Sequence, residues 1–255
     1  MAEIPETLTD VLARLDAGRT LEVGCGDGEF TEQLVETLGS FESIEAVDIL
    51  DDVVEEARRY FEKAHSGHPV TFRRADAAVL PFAAESFDTV VVSNTLHHLP
   101  EPVRVMEEVL RVLRAGGRLL VNEMVADPGD PAAQVGRDLH HLKAWVDRTQ
   151  GISHHPTLSR GSLQTLLRTP RLMLRERLEY TPPAPEPEEQ DFEVQLARID
   201  DYAEHAAGHP DYPAIRKEVS RLRHRVRAVG AAPAPQVLLV LEKRTESYAG
   251  DRRHA

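Results

Sequence analysis

Residues 19–30, which read RTLEVGCGDGEF, decide the fold of this chain. An alternating apolar strand runs into Gly24, Gly26 and Gly28, and a helical pattern opens at Glu29. A glycine-rich turn lets backbone approach a ligand closely, because no Cβ stands in the way. It also directs the free N–H groups of the following helix toward that ligand. The stretch therefore predicts a nucleotide-type crevice at the carboxyl ends of parallel strands.

The spacing of the glycines distinguishes two kinds of site. The dinucleotide fingerprint is G-x-G-x-x-G, whereas here the third glycine comes one position earlier, and Glu22 stands two positions before Gly24. On these residues the chain resembles the class I S-adenosylmethionine (SAM)-dependent methyltransferases, whose first motif reads E/D-x-G-x-G-x-G. The resemblance implies that SAM is the cofactor and that Glu22, Gly24, Cys25, Gly26 and Gly28 form part of its site.

A second acidic position follows at the spacing that a bound nucleoside needs. About twenty residues after Gly28, the short predicted strand SIEAVD ends in Asp48, whose side chain can accept hydrogen bonds from both ribose hydroxyls. Ile49 would then lie near the adenine. Asp48 could instead cap the next helix, although Asp51 is at least as good a cap. Asp48 therefore indicates a bound nucleoside but does not distinguish SAM from NAD.

Two later segments extend the resemblance. Asp76 and Ala77 follow the third predicted strand; in the resembled family the matching side chain binds the adenine amino group, and the next N–H meets a ring nitrogen. Taken alone, Asp76 is also an ordinary turn residue. The strand SFDTVVVSN then leads into TLHHLP at residues 95–100, similar to the small-molecule methyltransferases related to those of ubiquinone and menaquinone biosynthesis. Asn94 would face the methionine part of the cofactor.

Histidines follow the fourth predicted strand and recur later. His97 is the candidate catalytic residue, because an imidazole beside a developing acid can act as a general base at neutral pH. In the alternative interpretation, one of His97 and His98 packs under the sheet and the other orients the next helix. Further pairs stand at His140, His141, His154 and His155. Since adjacent residues on a helix point about 100° apart, we predict no metal site and favour substrate contact for these four.

The alternation of patterns predicts the fold class. Five apolar strands alternate with helices from residue 19 to residue 124, which predicts a parallel sheet with right-handed crossovers. The fifth strand is expected to begin at Arg118, after a helix over residues 102–114. The resemblance implies an α/β, Rossmann-like, seven-stranded, mostly parallel sheet. Its antiparallel last strand, expected over residues 236–243, would lie between the fifth and sixth strands.

Two narrow apolar stripes, over residues 192–206 and 215–229, predict a helical hairpin inserted before the last strand. We therefore divide the chain into a SAM-binding methyltransferase domain (residues 1–181 and 231–245), a hairpin insertion (182–230) and a tail (246–255). The stripes could close on each other, cover the active site as a lid, or pair two subunits in a homodimer.

Composition limits the partners. The 255 residues carry a formal net charge of −13, which argues against nucleic acid and anionic membrane, because both attract basic surfaces. Cys25 is the only cysteine, so no intrachain disulfide can form. The N-terminal residues lack a signal-peptide pattern, and no apolar run approaches the length of a membrane span. We expect a cytoplasmic protein that acts on a small-molecule substrate.

The methyl group of SAM sits on a sulfonium, so the cofactor supplies the difficult part of the reaction, and the protein must orient an acceptor in line with it. We predict a SAM-dependent methyltransferase that acts by in-line displacement. A non-catalytic SAM-binding protein and an NAD(P)-dependent oxidoreductase are the alternatives; the glycine spacing counts against the second. The methyl acceptor stays open, and with it the choice among O-, N-, C- and S-methylation.

Overall fold

Strands and amphipathic helices alternate as the sequence predicts, except between the third and fourth strands, where residues 75–86 form turns and bends instead of a helix. A computed structural model describes residues 6–183 and 192–245 of the chain. The elements are α1 (Leu8–Ala13), β1 (Arg19–Val23), α2 (Glu29–Thr37), β2 (Ser43–Asp48), α3 (Asp51–Ala64), β3 (Val70–Arg74), β4 (Phe87–Ser93), a 3-10 helix (Leu96–His98), α4 (Pro102–Val112), β5 (Leu113–Met124), α5 (Pro131–Thr149), α6 (Arg160–Leu167), β6 (Leu172–Tyr180), α7 (Phe192–Glu204), α8 (Tyr212–Val229) and β7 (Gln236–Lys243).

The seven strands form one sheet in the order β3-β2-β1-β4-β5-β7-β6. Strands β1 to β5 pair in parallel, whereas β7 runs antiparallel to both β5 and β6. The predicted sheet and the place of its last strand are therefore confirmed. The strand order reverses between β1 and β4, which puts the switch point of the sheet at their carboxyl ends, directly after the glycine turn.

The central strand shows why its sequence is apolar without a break. Val90 and Val92 of β4 belong to a core cluster that includes side chains of α4 and α6. Val91, between them, belongs to a second cluster with side chains of α1 and α2. Successive residues of a strand point to opposite faces, so a strand covered on both faces needs apolar residues at every position.

The start of the fifth strand differs from its prediction. Strand β5 begins at Leu113, five residues before Arg118, and α4 ends at Val112. Leu113 already pairs with Phe87, and the register then shifts before Thr89 pairs with Arg118. The glycines at 116 and 117 thus lie in an irregular part of the strand rather than in a helix-ending turn.

The predicted hairpin forms, and its two stripes close on each other and on α5. Buried residues of α5 (Val135, Leu142, Val146), α7 (Leu196, Ile199, Ala203), the α7–α8 turn (Ala206) and α8 (Ile215, Val219, Leu222, Val226) make one apolar cluster. The division into domain and insertion stays an interpretation. Residues 184–191 of the linker and the tail at 246–255 lie outside the described residues. Within the described ranges, no helix combines the length and the apolar character needed to cross a bilayer.

The three-helix cluster yields a test of stability. Leu222 is fully buried in it, so Leu222→Ala should lower the free energy of unfolding by about 2–5 kcal/mol, through lost apolar burial and the cavity left behind. Denaturant titration measures this change. Lys217→Ala, at an exposed position of the same helix, is the control and should change the free energy by less than about 0.5 kcal/mol. Equal effects of the two substitutions would contradict the packing of α8.

Candidate functional site

The glycine turn adopts backbone conformations that only glycine takes readily. Gly24, Gly26 and Gly28 have φ values of 75°, 54° and 91°, in the left-handed region that disfavours residues with a Cβ. A Cβ on Gly24 would lie 2.3 Å from Cγ2 of Thr95, whereas a Cβ on Gly26 would meet no heavy atom within 4 Å. The first glycine thus permits close packing of two strand ends, and the second opens onto free space.

Asp48 holds this turn in place. At the end of β2, its Oδ2 accepts a hydrogen bond from the backbone N–H of Gly26 at 3.1 Å, and its Oδ1 accepts one from Leu50 at 3.0 Å. Leu50 is the N-cap of α3 and makes no side-chain cap bond, and Asp51 is the first residue of that helix. Neither aspartate is the N-cap. Ile49 and Leu50 are 55% and 52% exposed, so apolar side chains flank the turn.

Glu22 and Cys25 lie beneath the turn rather than on its surface. Glu22 is 1% exposed, and one of its carboxyl oxygens accepts a hydrogen bond from the Thr31 hydroxyl of α2 at 2.5 Å. Burial raises the pKa of Glu22 to about 8. Burial likewise raises the pKa of the Cys25 thiol, which is 4% exposed. The predicted contacts of Glu22 and Cys25 with the cofactor stay predictions.

Asp76 and Ala77 stand next to Asp48 at the same edge of the sheet. The N–H of Ala75 donates to the carbonyl oxygen of Asp48 at 2.8 Å, which joins the two strand ends. The exposed side chain of Asp76 accepts a hydrogen bond from Ala78 N–H at 2.8 Å, as a turn aspartate does. Contact between Asp76 and an adenine stays a prediction.

Asn94 directly follows β4 with a positive φ of 46°, and its side chain bonds to the backbone of β5. Its Oδ1 accepts a hydrogen bond from Met124 N–H at 3.1 Å, and its Nδ2 donates to Gln236 Oε1 at 3.4 Å. Asn122 donates to the same oxygen at 2.8 Å. The predicted contact of Asn94 with the methionine part of the cofactor is not among these bonds and stays a prediction.

His97 is held by a buried carboxylate that sequence reasoning missed. Glu123, fully buried in β5, accepts hydrogen bonds from the N–H groups of Thr95 and Leu96 at 2.9 and 2.7 Å. Its other oxygen lies 3.0 Å from Nδ1 of His97. The signal was available, because the polar pair Asn122-Glu123 follows the apolar run at residues 119–121 near the carboxyl end of the strand, where function concentrates in such sheets.

His97 meets two of the later histidines. His140 Nε2 lies 3.2 Å from Nε2 of His97 and 3.1 Å from Nε2 of His154. Nδ1 of His154 in turn lies 2.6 Å from Oδ2 of Asp147. One member of each sequence pair therefore enters a common cluster, which the spacing along the chain did not indicate.

The other member of each pair lies outside this cluster and makes different contacts. The ring of His98 packs against that of His154, with centroids 4.0 Å apart and the ring planes tilted by 35°. His141 accepts a hydrogen bond from Thr157 N–H at 3.2 Å. His155 is exposed, and its N–H donates to the carbonyl oxygen of His97 at 2.7 Å, which ties the segment after α5 to the end of β4.

Burial favours the uncharged form of His98, His140 and His154. Burial, reinforced by the neighbouring histidines, lowers the pKa of His140 to about 3 and that of His98 to about 3. Burial also lowers the pKa of His154, although the hydrogen bond to Asp147 acts in the opposite direction. Neutral imidazoles keep a lone pair on one ring nitrogen and can act as bases or as ligands.

The glycine turn, its aspartate and the exposed apolar residues fit a nucleoside cofactor such as SAM. A Cβ at Gly26 would fill the free space over the turn, Asp48 is placed at the strand end that binds a ribose in such folds, and Ile49 offers apolar surface beside it. The turn also begins α2, whose N-cap Gly28 makes no side-chain cap bond. The site thus combines a close backbone approach, a carboxylate and an apolar wall.

Comparison with known proteins places residues 21–121 in a family described as a methyltransferase domain. The 27-O-demethylrifamycin SV methyltransferase of Amycolatopsis mediterranei is 36% identical over 132 residues, which cover 50% of this chain and 48% of that protein. The ubiquinone/menaquinone biosynthesis C-methyltransferase UbiE of Roseobacter denitrificans is 30% identical over 148 residues, 58% of each chain. This chain spans about half the length of the curated relatives it matches.

Solved structures show the same fold over nearly the whole chain. A protein of Bacillus halodurans described as a methyltransferase superposes with a TM-score of 0.61 at 19% identity, covering 93% of this chain and 97% of the other. The [4+2]-cyclase SpnF superposes with a TM-score of 0.58 at 23% identity, covering 93% and 80%. A likeness at this identity establishes the fold and not the reaction.

The buried Glu22 yields a prediction of pH dependence. The raised pKa of about 8, against an ordinary value of 4.5, means that the folded state keeps a proton that the unfolded chain releases between these pH values. The contribution of Glu22 to the free energy of unfolding is therefore greatest below about pH 4.5. It falls as the pH rises toward 8, by up to about 1.4 kcal/mol per pH unit. Glu22→Gln should remove this contribution.

Denaturant titration of both proteins at several values from about pH 5 to pH 8 measures the effect. We expect the stability of the variant relative to the wild type to increase steadily with pH, because glutamine cannot ionise. Thr31→Val, which removes the partner and keeps the carboxyl, is the comparison and should retain the slope. Parallel wild-type and Glu22→Gln curves would show that Glu22 is ionised in the folded protein.

Proposed function

We propose that this protein transfers the methyl group of SAM to a small-molecule acceptor, because residues 21–121 match a family described as a methyltransferase domain. The observation that carries the proposal is the glycine turn, whose middle residue, Gly26, opens onto free space while its N–H is held by Asp48. Curated relatives of the matched region are methyltransferases. No observation favours the NAD(P) or the non-catalytic alternative.

The residues that would hold the cofactor follow from their places at the edge of the sheet. Asp48 would accept hydrogen bonds from the ribose hydroxyls, and Ile49 would cover one face of the adenine. Asp76 and Ala77 would bind the adenine edge, since the chain joins their strand end to that of Asp48. The backbone at Gly24 to Gly28 would approach the methionine part, with Glu22 and Cys25 supporting the turn from below. Asn94 stays a candidate contact at the end of β4.

SAM bound in this way would supply an electrophilic methyl group, and the protein would orient the acceptor and exclude water. A hydroxyl or amine acceptor must also lose a proton, for which a base helps. We propose that His97 supports this step. Its tautomer is set by Glu123, and its Nε2 faces His140 rather than solvent, so the proton would leave toward the histidine cluster.

The relatives suggest which acceptors to try first. Their names describe methylation of an oxygen in one case and of a carbon in another, so we propose to begin with small molecules that carry a hydroxyl group. The net charge of −13 supports a protein without nucleic-acid partners. A homodimer through α7 and α8 and a cytoplasmic location stay predictions; the apolar stripes of both helices are already covered within the chain by α5.

Two substitutions test the cofactor site. Gly26→Val places side-chain atoms in the space over the turn, and Asp48→Ala removes a charged hydrogen-bond acceptor worth about 1.5–3 kcal/mol. We expect each to weaken binding of S-adenosylhomocysteine, the product form of the cofactor, by at least about tenfold. Calorimetric titration measures this, with NADH as the comparison ligand.

Matched controls separate ligand contact from strain. Gly67 also has a positive φ, 102°, and open space at its Cβ position, but lies in the turn before β3, so Gly67→Val should leave the affinity unchanged. Asp52→Ala is the control for Asp48→Ala and should also leave the affinity unchanged, since Asp52 lies in the exposed first turn of α3. Wild-type affinity in both Gly26→Val and Asp48→Ala, or binding of NADH alone, would defeat the assignment.

The role of His97 is tested by comparing the effect of His97→Ala on turnover with its effect on cofactor affinity. We expect His97→Ala to lower turnover by about a hundredfold or more, with the affinity for S-adenosylhomocysteine changed less than about threefold. The assay follows transfer of an isotopically labelled methyl group from SAM to 27-O-demethylrifamycin SV and a panel of phenols. His155→Ala, at an exposed position, is the control. Wild-type turnover in His97→Ala would reduce His97 to a packing role.

A further inference from the structure

Three imidazoles from three separate segments converge on one point. His97 comes from the 3-10 helix after β4, His140 from α5, and His154 from the segment that follows α5. Their Nε2 atoms are 3.2 Å apart for His97 and His140, and 3.1 Å apart for His140 and His154. One ring nitrogen of each residue lies within 4.8 Å of the other two. Metal–nitrogen bonds of about 2.0–2.1 Å at tetrahedral angles separate ligand nitrogens by about 3.3 Å.

Two carboxylates determine where the ring protons are. Nδ1 of His97 lies 3.0 Å from Glu123, and Nδ1 of His154 lies 2.6 Å from Asp147. A carboxylate only accepts hydrogen bonds, so Nδ1 carries the proton in both rings. In the neutral imidazoles the Nε2 atoms therefore present lone pairs to His140.

The three rings cannot satisfy one another by hydrogen bonds alone. A neutral His140 has at most one proton on Nε2, and one N–H can point at only one of its two neighbours. His97 and His154 are 2% and 1% exposed, so solvent does not compensate the remaining lone pair. A small cation shared by three lone pairs satisfies all of them.

We propose that His97, His140 and His154 bind one divalent transition-metal ion of the zinc class through their Nε2 atoms. Imidazole suits zinc, copper, iron and nickel ions, and three protein ligands leave a position for water or a substrate oxygen. Glu123 and Asp147 are then the outer carboxylates that orient two of the ligands, an arrangement common among metal-bound histidines. With the ion bound, His97 acts on an acceptor as a ligand of that ion and not as a free base.

The proposal departs from the expectation that this chain has no metal site. That expectation rested on adjacent histidines of one helix pointing about 100° apart, which says nothing about histidines from separate segments. The structure takes one histidine from each pair and leaves out His98, His141 and His155. The excluded members give matched controls, each next in sequence to a proposed ligand.

The test is equilibrium binding of Zn²⁺ to the full chain after removal of bound ions with a chelator, measured by competition with a chromophoric chelator. Co²⁺ serves as a second probe, since its visible absorption distinguishes four-coordinate from six-coordinate binding. We expect one tight equivalent of Zn²⁺ and a four-coordinate Co²⁺ spectrum. His140→Ala and His154→Ala should each weaken Zn²⁺ binding at least about a hundredfold, and Glu123→Gln and Asp147→Asn about 10- to 100-fold.

His141→Ala and His155→Ala are the controls and should bind Zn²⁺ as the wild type does. His65→Ala addresses the other group with ligand spacing in the described part of the chain, Glu32, Glu36 and His65, and should also leave the tight equivalent unchanged. Absence of stoichiometric binding in the wild type would overturn the proposal, and so would wild-type affinity in both His140→Ala and His154→Ala, or loss of the tight site in His65→Ala.

Titration of the same samples with S-adenosylhomocysteine keeps the two proposals apart and reports whether each variant is folded. Binding of the nucleoside without Zn²⁺ would leave the cofactor site standing and remove the metal site. Binding of Zn²⁺ without the nucleoside would do the reverse. Because metal binding is measured without any methyl acceptor, its outcome does not depend on turnover.

Discussion

The buried carboxylate of Glu123 is the constraint on which the site depends. A carboxyl group without solvent is costly unless its oxygens are hydrogen-bonded, and Glu123 meets this need with the N–H groups of Thr95 and Leu96 and the ring of His97. These contacts shape the chain where it leaves β4. The side chain of Thr95 then packs against Gly24, so the same carboxylate helps to place the glycine turn beside it.

Glu22 of β1 and Asp48 of β2, like Glu123 of β5, accept hydrogen bonds that fix the chain around the crevice. Glu22 lies under the turn and binds α2 through Thr31, and Asp48 holds Gly26 and the entry to α3. Each carboxyl group satisfies backbone or hydroxyl donors that would otherwise be unpaired, which a polar edge in an apolar sheet requires. The crevice is therefore ordered by the protein itself, and a cofactor would enter a preformed site, which lowers the entropic cost of binding.

The cluster of His97, His140 and His154 is a second feature of the site, separate from the glycine motif. Helix α5 carries His140 toward the end of β4, and its other face packs on α7 and α8. The hairpin thereby supports the helix that brings His140 to His97 and His154. A change in the packing of the hairpin would act on the histidine cluster through α5, a physical link between the insertion and the chemistry of the site.

The sequence alone determined the succession of strands and helices and the glycine turn, because apolar periodicity and φ preferences act over a few neighbouring residues; the place of the antiparallel strand followed from the family resemblance. The match of residues 21–121 to a methyltransferase domain confirms the resemblance drawn from that turn. Only the tertiary structure decided that Glu22 is buried, that Asn94 faces β5, that Leu113 already pairs with Phe87, and that Glu123 and Asp147 each hold a histidine. These contacts join residues 7 to 30 positions apart in the chain, and no local spacing encodes which of these side chains the folded chain brings together.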